Sequence, residues 1–288
     1  MRYALSTNFN NVRLQTGEEI ADEAMEMGFD ALELGFRTTP EQIAGFKRRL
    51  DRMPVDSVHA YVPVPPGAPS GHPELYKLTS RDENERALAR IFLKKTFACA
   101  ADLGAKTVVF HAGYVPLDTL FGNLFSKATK LRVKRGAKIY DRFKKELDAL
   151  LPELQKHGLT LGLENLPRQE GFPDVAEAER LMEDYKGAPV KLWFDTGHAR
   201  VRECRKWSLP ATEVAMRLKD HICGMHLNDV KDIHDDHRQP GWGNVDFAAL
   251  APLAQKDGFL RVFEPHEPVT VAELAESLKT IRKMWSIQ

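Results

Sequence analysis

The stretch ICGMHLNDVKDIHDDHRQPGWGN, residues 222–244, holds the clearest information about the fold of this chain. It opens with a short apolar run, Ile222 to Met225, which predicts a buried strand that ends at His226. The loop that follows is crowded with carboxylates and imidazoles, and it closes in a turn around Gly241. A strand end that presents an imidazole to such a loop is typical of a divalent-metal site.

The same unit, an apolar strand followed by a helix, recurs from one end of the chain to the other. Strands are predicted at residues 3–6, 31–34, 55–59, 107–111, 159–164, 190–195, 222–226 and 259–263. Helices are predicted at residues 16–27, 39–49, 81–103, 140–154, 174–185, 211–218, 247–256 and 271–284. Eight strand-then-helix units favour a closed (β/α)8 TIM barrel of the α/β class, formed as a single domain over residues 1–288.

Composition narrows the classes of protein that need to be considered. The chain has 288 residues and 41 acidic against 41 basic side chains, which argues against nucleic-acid binding by bulk charge. Its three cysteines, Cys99, Cys204 and Cys223, show no metal or disulfide spacing. We therefore expect reduced thiols and a cytoplasmic protein. No signal-peptide pattern or long apolar run predicts a membrane segment.

One segment, residues 115–139, breaks the regular pattern as an insertion after the fourth strand. It has no acidic residue after Asp118 and is rich in basic side chains, namely Lys127, Lys130, Arg132, Lys134, Arg135 and Lys138. Two interpretations remain open: a solvated helical face, or a contact with phosphate or another polyanion.

Metal-capable side chains stand at the carboxyl ends of six predicted strands. They are His59, His111, Glu164, Asp195, His226 and Glu264. TIM barrels place their chemistry at this end of the strands. A single such residue is more often structural, but six at equivalent places are hard to explain that way, because an unpaired buried carboxylate costs several kcal/mol. A bound cation would supply the pairing.

The loops add further ligands to this set. His198 follows the sixth strand, and Asp235 and His237 follow the seventh. The mixture of imidazole and carboxylate without thiolate suits Zn2+, Mn2+, Co2+ or Fe2+ better than Ca2+. Four other residues are interpreted as surface residues: His72, His221, His234 and Asp236. His266 is interpreted as structural.

At these motifs the chain resembles the xylose isomerase-like TIM-barrel superfamily, which includes sugar isomerases and epimerases as well as endonuclease IV-type abasic-site nucleases. The matching pieces, in the superfamily's order, are VHAY at His59, AKTVVFHAG at His111, LGLEN at Glu164, FDTGHA at Asp195 and His198, GMHLND at His226, DDHRQPGWGN at His237 and FEPH at Glu264.

The resemblance to the epimerase branch implies a metal-dependent sugar or sugar-phosphate isomerase or epimerase. Glu164, Asp195, His226 and Glu264 would hold one metal ion, and Glu164 and Glu264 would also be the acid/base pair. In that mechanism the metal polarises a carbonyl and a neighbouring hydroxyl, while one carboxylate removes a proton from carbon and the other returns one.

The resemblance to the nuclease branch implies an abasic-site phosphodiesterase with a trinuclear metal cluster. Its nine ligands would be the same four residues plus His59, His111, His198, Asp235 and His237. Arg37 and Tyr61 fall near the positions that insert into DNA in that branch. The zero net charge and the proline-rich loop YVPVPPGAPSGHP, residues 61–73, favour the sugar enzyme instead.

A third alternative is another metal-assisted reaction on a small polyol or keto acid. A barrel that only binds a ligand is disfavoured, since structural metal sites usually close at four protein ligands. Asn165, Arg238 and Trp242 flank proposed ligands and are predicted to contact the substrate. The expected partner is a small sugar, with nucleic acid under the alternative, and a homo-oligomer agrees with the resemblance.

Overall fold

Parallel strands close into a barrel in this computed structural model, which describes residues 1–68, 70–116 and 125–286, with side chains omitted over 125–134. The strands are β1 (Ala4–Ser6), β2 (Ala31–Leu34), β3 (Val55–His59), β4 (Thr107–Phe110), β5 (Gly113–Tyr114), β6 (Thr160–Glu164), β7 (Gly171–Phe172), β8 (Val190–Asp195), β9 (Ile222–Leu227) and β10 (Leu260–Phe263). Within the described residues, eight of them form the closed order β1-β2-β3-β4-β6-β8-β9-β10, and β5 pairs antiparallel with β7. The predicted (β/α)8 barrel is confirmed.

The strand register brings the functional ends of the strands to one rim. Asp195 on β8 lies opposite His226 on β9, and His226 in turn lies opposite Val262 on β10. His59 on β3 is paired with Val109 on β4, two residues before His111. Because all barrel strands run in parallel, the side chains that end them face the same mouth.

The helices surround the barrel, and the caps predicted at Thr16 and Thr39 are present. The helices are α1 (Gly17–Glu26), α2 (Pro40–Lys47), α3 (Glu83–Asp102), α4 (Phe125–Asp148), α5 (Leu151–His157), α6 (Val175–Asp184), α7 (Thr196–Cys204), α8 (Ala211–Arg217), α9 (Ala251–Ala254) and α10 (Val271–Ser286). Thr16, Thr39 and Asp174 each form a capping box with the side chain three residues on. No helix in the described ranges has the length and apolar character needed to cross a membrane.

Some predicted boundaries are wrong. The helix predicted from Tyr140 already runs from Phe125 in α4 and ends at Asp148, so that α5 is separate. The helix predicted over 247–256 is reduced to the single turn of α9. Helix α7 was not predicted; it starts directly after β8 because Oδ1 of Asp195 accepts a hydrogen bond from the backbone N–H of His198, 2.6 Å away.

The basic insertion lies partly outside the described residues. Residues 117–124 are among those not described, as are the side chains of Lys127, Lys130, Arg132 and Lys134. Arg135, which is described, donates a hydrogen bond from Nη1 to the carbonyl oxygen of Pro116, 2.7 Å away. The proposed polyanion contact of this segment therefore stays a prediction.

A tryptophan fills the barrel directly beneath the rim. Trp193 packs in the lumen with four small or branched residues, namely Ala4, Ala31, Val109 and Val262. A Cβ on Gly224 would lie 2.3 Å from the indole ring, so only glycine leaves room for the ring there. The indole meets the imidazole of His226 edge-on, with the ring centroids 5.1 Å apart. Trp193 thus forms the floor under the side chains at the mouth.

Candidate metal centre

The nine predicted metal ligands lie together at the barrel mouth. In the described part of the chain they form three groups, and the ligand atoms within each group lie within 4.8 Å of one another: His59, His111 and Glu164; Glu164, Asp195, His226 and Glu264; and His198, Asp235 and His237. Glu164 belongs to two of these groups. The strand-end alignment predicted six of these nine side chains, and the loop motifs predicted His198, Asp235 and His237.

The four-ligand group is the most deeply buried. Nδ1 of His226 lies 3.2 Å from Oε1 of Glu164, 3.2 Å from Oε2 of Glu264 and 3.7 Å from Oδ2 of Asp195. All four side chains are buried. Three carboxylates around one imidazole repel one another, and burial in the absence of a compensating cation is costly. This donor set fits a divalent ion.

The second group is built on the other oxygen of Glu164. Nε2 of His111 lies 3.1 Å from Glu164 Oε2, and Nε2 of His59 lies 3.3 Å from it. Neither approach has hydrogen-bond geometry, so this buried oxygen accepts no hydrogen bond from any described residue. An unsatisfied buried carboxylate oxygen between two imidazoles is the arrangement expected of a metal ligand.

The third group is the most open. Oδ2 of Asp235 lies 3.3 Å from Nε2 of His198 and 3.4 Å from Nε2 of His237, and the Asp235 side chain is 29% exposed. His237 has a φ of 43°, a left-handed conformation that few non-glycine residues adopt. Such strained backbone clusters at functional sites, where the surrounding structure maintains it.

In each of the five histidines, one ring nitrogen faces its ligand group, and the other nitrogen faces a group that orients the ring. Backbone carbonyls face this nitrogen in three of them: Ala60 for His59 at 3.0 Å, Asn165 for His198 at 2.8 Å, and Glu264 for His237 at 3.1 Å. Carboxylates face it in the other two: Glu33 for His226 at 2.9 Å, and Glu74 for His111 at 3.5 Å, an approach without hydrogen-bond geometry. Metal-binding histidines are fixed in this way, because the occupied nitrogen determines which one is free for the ion.

Two residues that support the ligands were missed at the sequence level. Glu33 is fully buried, accepts a hydrogen bond from Oγ of Ser57 at 2.8 Å, and faces His226. The signal was its charge inside the otherwise apolar run ALEL. Asn8, just after the first strand, donates from Nδ2 to Oε1 of Glu264 at 3.0 Å, which leaves Oε2 facing His226.

Asp229 organises the loop that carries the third group. Its buried carboxylate accepts four backbone hydrogen bonds of 2.8–3.0 Å, from the N–H groups of Val230, Gly241, Gly243 and Val245. These bonds join both ends of the segment that holds Asp235 and His237. The loop is therefore fixed by a carboxylate that lies outside the ligand set.

Opposite charges shift the pKa values of these groups strongly. Burial opposes protonation of the histidines, but the carboxylates of Glu164 and Glu74 outweigh it and raise the pKa of His111 to about 9. Asp235 likewise raises the pKa of His237 to about 9. Burial alone would raise the pKa of Glu264, yet His226 and His237 lower it to about 2. Protons on the imidazoles thus balance the carboxylates in the metal-free protein.

The three groups open into a pocket of about 190 Å3. Residues outside the ligand set that line it include Phe36, His72, Glu74, Tyr114, Arg168 and His266. His72 was interpreted as a surface residue; its side chain is exposed, but it forms part of the pocket wall. His266 stacks on His237 with the ring centroids 4.2 Å apart, and burial lowers the pKa of His266 to about 3.

The predicted substrate contacts have other partners. Asn165 bonds the backbone of Asp195 through both side-chain atoms, at 2.8 and 3.0 Å. Arg238 lies over the ring of Trp242, 4.7 Å from its centroid. Among the described residues, the side chains that line the metal pocket include none of these three.

Of the two positions considered for DNA insertion, Tyr61 is buried and Arg37 is partly exposed. Tyr61 is 1% exposed, and its hydroxyl donates to the carbonyl oxygen of Tyr76, 2.5 Å away. The guanidinium of Arg37 packs on the ring of Phe36, 5.7 Å from its centroid. Tyr61 is thus part of the core beside the proline-rich loop.

Residues 21–284 match the model of the xylose isomerase-like TIM barrel family, and the chain belongs to this family. An uncharacterised protein of Methanocaldococcus jannaschii, MJ1311, is 26% identical over 185 residues, which are 62% of this chain and 57% of that protein. The chain thus spans less than two thirds of the length of this relative.

Solved structures share the fold over the whole chain. A D-tagatose 3-epimerase-like protein is 22% identical, with a TM-score of 0.72 over 100% of this chain and 98% of its own. D-psicose 3-epimerase from Clostridium cellulolyticum H10, solved with D-tagatose, is 15% identical, with a TM-score of 0.70 over 99% of both chains. At these identities the likeness concerns the fold.

Proposed function

We propose that this chain is a divalent-metal-dependent isomerase or epimerase that moves a proton on a small sugar or sugar phosphate. The observation that carries the proposal is the placement of Glu164 and Glu264, each with a carboxylate oxygen 3.2 Å from Nδ1 of His226, in the wall of the pocket. Two carboxylates beside one ion-binding position are what a proton-transfer reaction at carbon requires. The epimerases among the similar structures support this choice.

Glu164, Asp195, His226 and Glu264 would hold the ion that this reaction needs. When bound, divalent ions supply Lewis-acid chemistry: they polarise a carbonyl and its neighbouring hydroxyl in proton transfer, or activate water and neutralise charge in phosphodiester hydrolysis. The unsatisfied Oε2 of Glu164 and the three crowded carboxylates show that the residues fit such ions.

The proton transfer itself falls to the two glutamates. The neighbouring imidazoles, above all His226, hold the pKa of Glu164 well below its usual range despite burial, so Glu164 is ionised and ready to accept a proton from carbon. Glu264 lines the pocket and would return a proton to the other face of the carbon. Its pKa of about 2 means that it is ionised in the metal-free protein, so it would have to gain this proton during the reaction. Removal from one face and return to the other inverts the carbon, which is an epimerisation.

The size and walls of the pocket favour a small substrate. Its volume, about 190 Å3, is below the ~300–1,000 Å3 of pockets for drug-sized ligands. Tyr61, at the position where the nuclease branch would insert a side chain, is in the core. A duplex nuclease needs side chains that enter the base stack, and this one does not.

The proposal is tested by solvent exchange. Metal-loaded protein in D2O should incorporate deuterium at the carbon next to the carbonyl of its ketose, read by NMR. Glu164→Gln should lower this rate by about 100-fold or more, since general-base catalysis is worth ~10²–10⁴. Glu179→Gln is the matched control, because Glu179 is an exposed helical glutamate paired with Arg217. Exchange at the wild-type rate by Glu164→Gln would refute the assignment.

A second candidate, a phosphodiester hydrolase, is favoured by the two additional ligand groups. A one-metal epimerase needs four ligands, whereas the structure also groups His59 and His111 with Glu164, and His198 with Asp235 and His237. Multinuclear sites suit in-line displacement at phosphorus. The test is nicking of a duplex oligonucleotide with one abasic site: a hydrolase cleaves beside the lesion and loses nearly all activity in His237→Ala, whereas the proposed epimerase leaves the duplex intact.

A further inference from the structure

The wall of the pocket includes one arginine, Arg168. It lies on the loop after β6, lines the pocket, and forms no ion pair with the residues that the structure describes. Glu74, a carboxylate of the same wall, faces His111 instead, with Oε1 3.5 Å from Nδ1 of that ring. An arginine left unpaired at the edge of a pocket is available to a ligand.

The backbone and the guanidinium of Arg168 are both held in place. Its carbonyl oxygen accepts hydrogen bonds from the guanidinium of the buried Arg202 and from the backbone N–H of Gly171, the latter at 3.1 Å. Its Cζ lies over the ring of Tyr114, 5.5 Å from the centroid. Stacking on a ring leaves the N–H edge of a guanidinium free, so Arg168 is ordered before any ligand arrives.

A second donor stands on the same wall. Nδ1 of His72 accepts a hydrogen bond from the backbone N–H of Glu74, 3.0 Å away. Partial burial of the ring lowers the pKa of His72, so the ring is neutral. Because Nδ1 accepts a hydrogen bond, the proton of the neutral ring is on Nε2. Arg168 and His72 line the same pocket. Burial lowers the pKa of His72 and raises that of Glu74, which His111 lowers; the charge of Arg168 is a smaller lowering effect on both.

We propose that Arg168, together with the Nε2–H of His72, is a subsite for an anionic end group of the substrate, a phosphate or a carboxylate. The inference rests on the proposed function, because it takes the carboxylate and imidazole groups to hold the reacting end of a sugar. It deepens that function by distinguishing this chain from enzymes that act on neutral ketoses. Charge-assisted bonds to a fixed guanidinium are strong and selective for such anions.

Binding of unreactive ligands tests the subsite. Xylitol, xylitol 5-phosphate and xylonate would be titrated calorimetrically into metal-loaded protein. At least one anion should bind about tenfold or more tightly than xylitol. A preference for xylitol 5-phosphate alone identifies a phosphate site, and a preference for xylonate alone identifies a carboxylate site. Equal binding of all three ligands would overturn the proposal.

Variants separate the arginine from the metal ions, which also attract anions. Arg168→Gln should lose the preference for the anion but keep its metal content and its affinity for xylitol. Arg180→Gln is the matched control, because Arg180 is an exposed arginine stacked over Tyr140 away from the pocket. Tyr114→Leu should give an intermediate loss. If Arg168→Gln still bound the anion more tightly than xylitol, the metal ions rather than Arg168 would bind the anion, and the proposal would be overturned.

The outcome is independent of the reaction. None of the three ligands has a ketone that the enzyme could enolise, so binding requires no turnover. If the protein exchanges deuterium into a neutral ketose but Arg168 has no role in anion binding, the subsite is refuted and the proposed epimerase activity is retained. If anions bind through Arg168 but no ketose exchanges deuterium, the subsite is retained and the proposed epimerase activity is refuted.

Discussion

Nε2 of His226 lies 2.9 Å from Oε1 of Glu33, and both side chains are fully buried. Since Glu33 occupies this nitrogen, Nδ1 is the one that faces Glu164, Asp195 and Glu264. A carboxylate behind a metal-binding histidine fixes the ring and makes it a stronger ligand. Glu33 therefore sets up the four-ligand group without belonging to it.

We expect Glu33→Gln to weaken metal binding at this group by ~10–100-fold, as seen for partners of metal ligands in general. Competition with a chromophoric chelator measures the change. Glu179→Gln, at an exposed helical position, is the control. An unchanged affinity in Glu33→Gln would mean that the pair supports folding alone.

Replacing Asp229 by asparagine should release the loop of the third group. One oxygen of Asp229 accepts hydrogen bonds from the backbone N–H groups of Gly241 and Gly243. An amide nitrogen in place of this oxygen would face the same two donors and could accept neither bond. Metal should be lost from His198, Asp235 and His237 and kept by the four-ligand group, as counted by elemental analysis. Asp232→Asn, an exposed change in the same loop, should retain the full metal content. If Asp229→Asn also retained the full metal content, the hydrogen bonds to Asp229 would not be what holds the third group in place.

The floor of the site should be sensitive to added volume. In Gly224→Ala the new methyl group would meet the ring of Trp193, and overpacking of this kind costs ~1–3 kcal/mol. Urea unfolding gives the free energy. In a Trp193→Leu background the same change should cost much less. An equal cost in both backgrounds would show that the strain arises elsewhere.

Metal binding should release protons near pH 8. The pKa values of His111 and His237, raised to about 9, keep these imidazoles protonated in the metal-free protein at that pH, whereas ligands must be neutral. Affinity should therefore rise with pH up to about 9. The stability that these protonated pairs give the metal-free protein is present below the usual histidine pKa of ~6.5 and is lost as pH rises through about 9. Calorimetry in two buffers of different ionisation enthalpy measures the release; identical heats would contradict it.

The barrel and the placement of the six strand-end side chains were predictable because both follow from simple patterns. Short apolar runs such as ICGM define strands, and parallel strands must end at one rim, so the residue after each run falls at the mouth. His59, which precedes a proline-rich loop, and Glu264, which precedes Pro265, were placed in this way. His198, Asp235 and His237 lie beyond the strand ends and were assigned from the loop motifs instead.

The supporting contacts were not predictable, because they depend on how distant segments pack. His72 lies in the proline-rich loop and Glu74 directly follows it, and no local periodicity determines the path of this segment over the pocket. Asp195 was assigned as a ligand, and its second role as the cap of α7 hid that helix. The neighbours of Arg238 could not be inferred either: its guanidinium packs on Trp242 rather than in the pocket wall.

Deuterium incorporation by protein with a counted content of Mn2+ or Zn2+, across a panel of ketoses and ketose phosphates, tests the central claim most directly. We predict exchange at the carbon beside the carbonyl of at least one sugar, lost when the metal is removed and restored when it is returned. Fully metallated protein that exchanges no proton on any of these sugars, yet nicks an abasic duplex, would contradict the epimerase and establish the hydrolase.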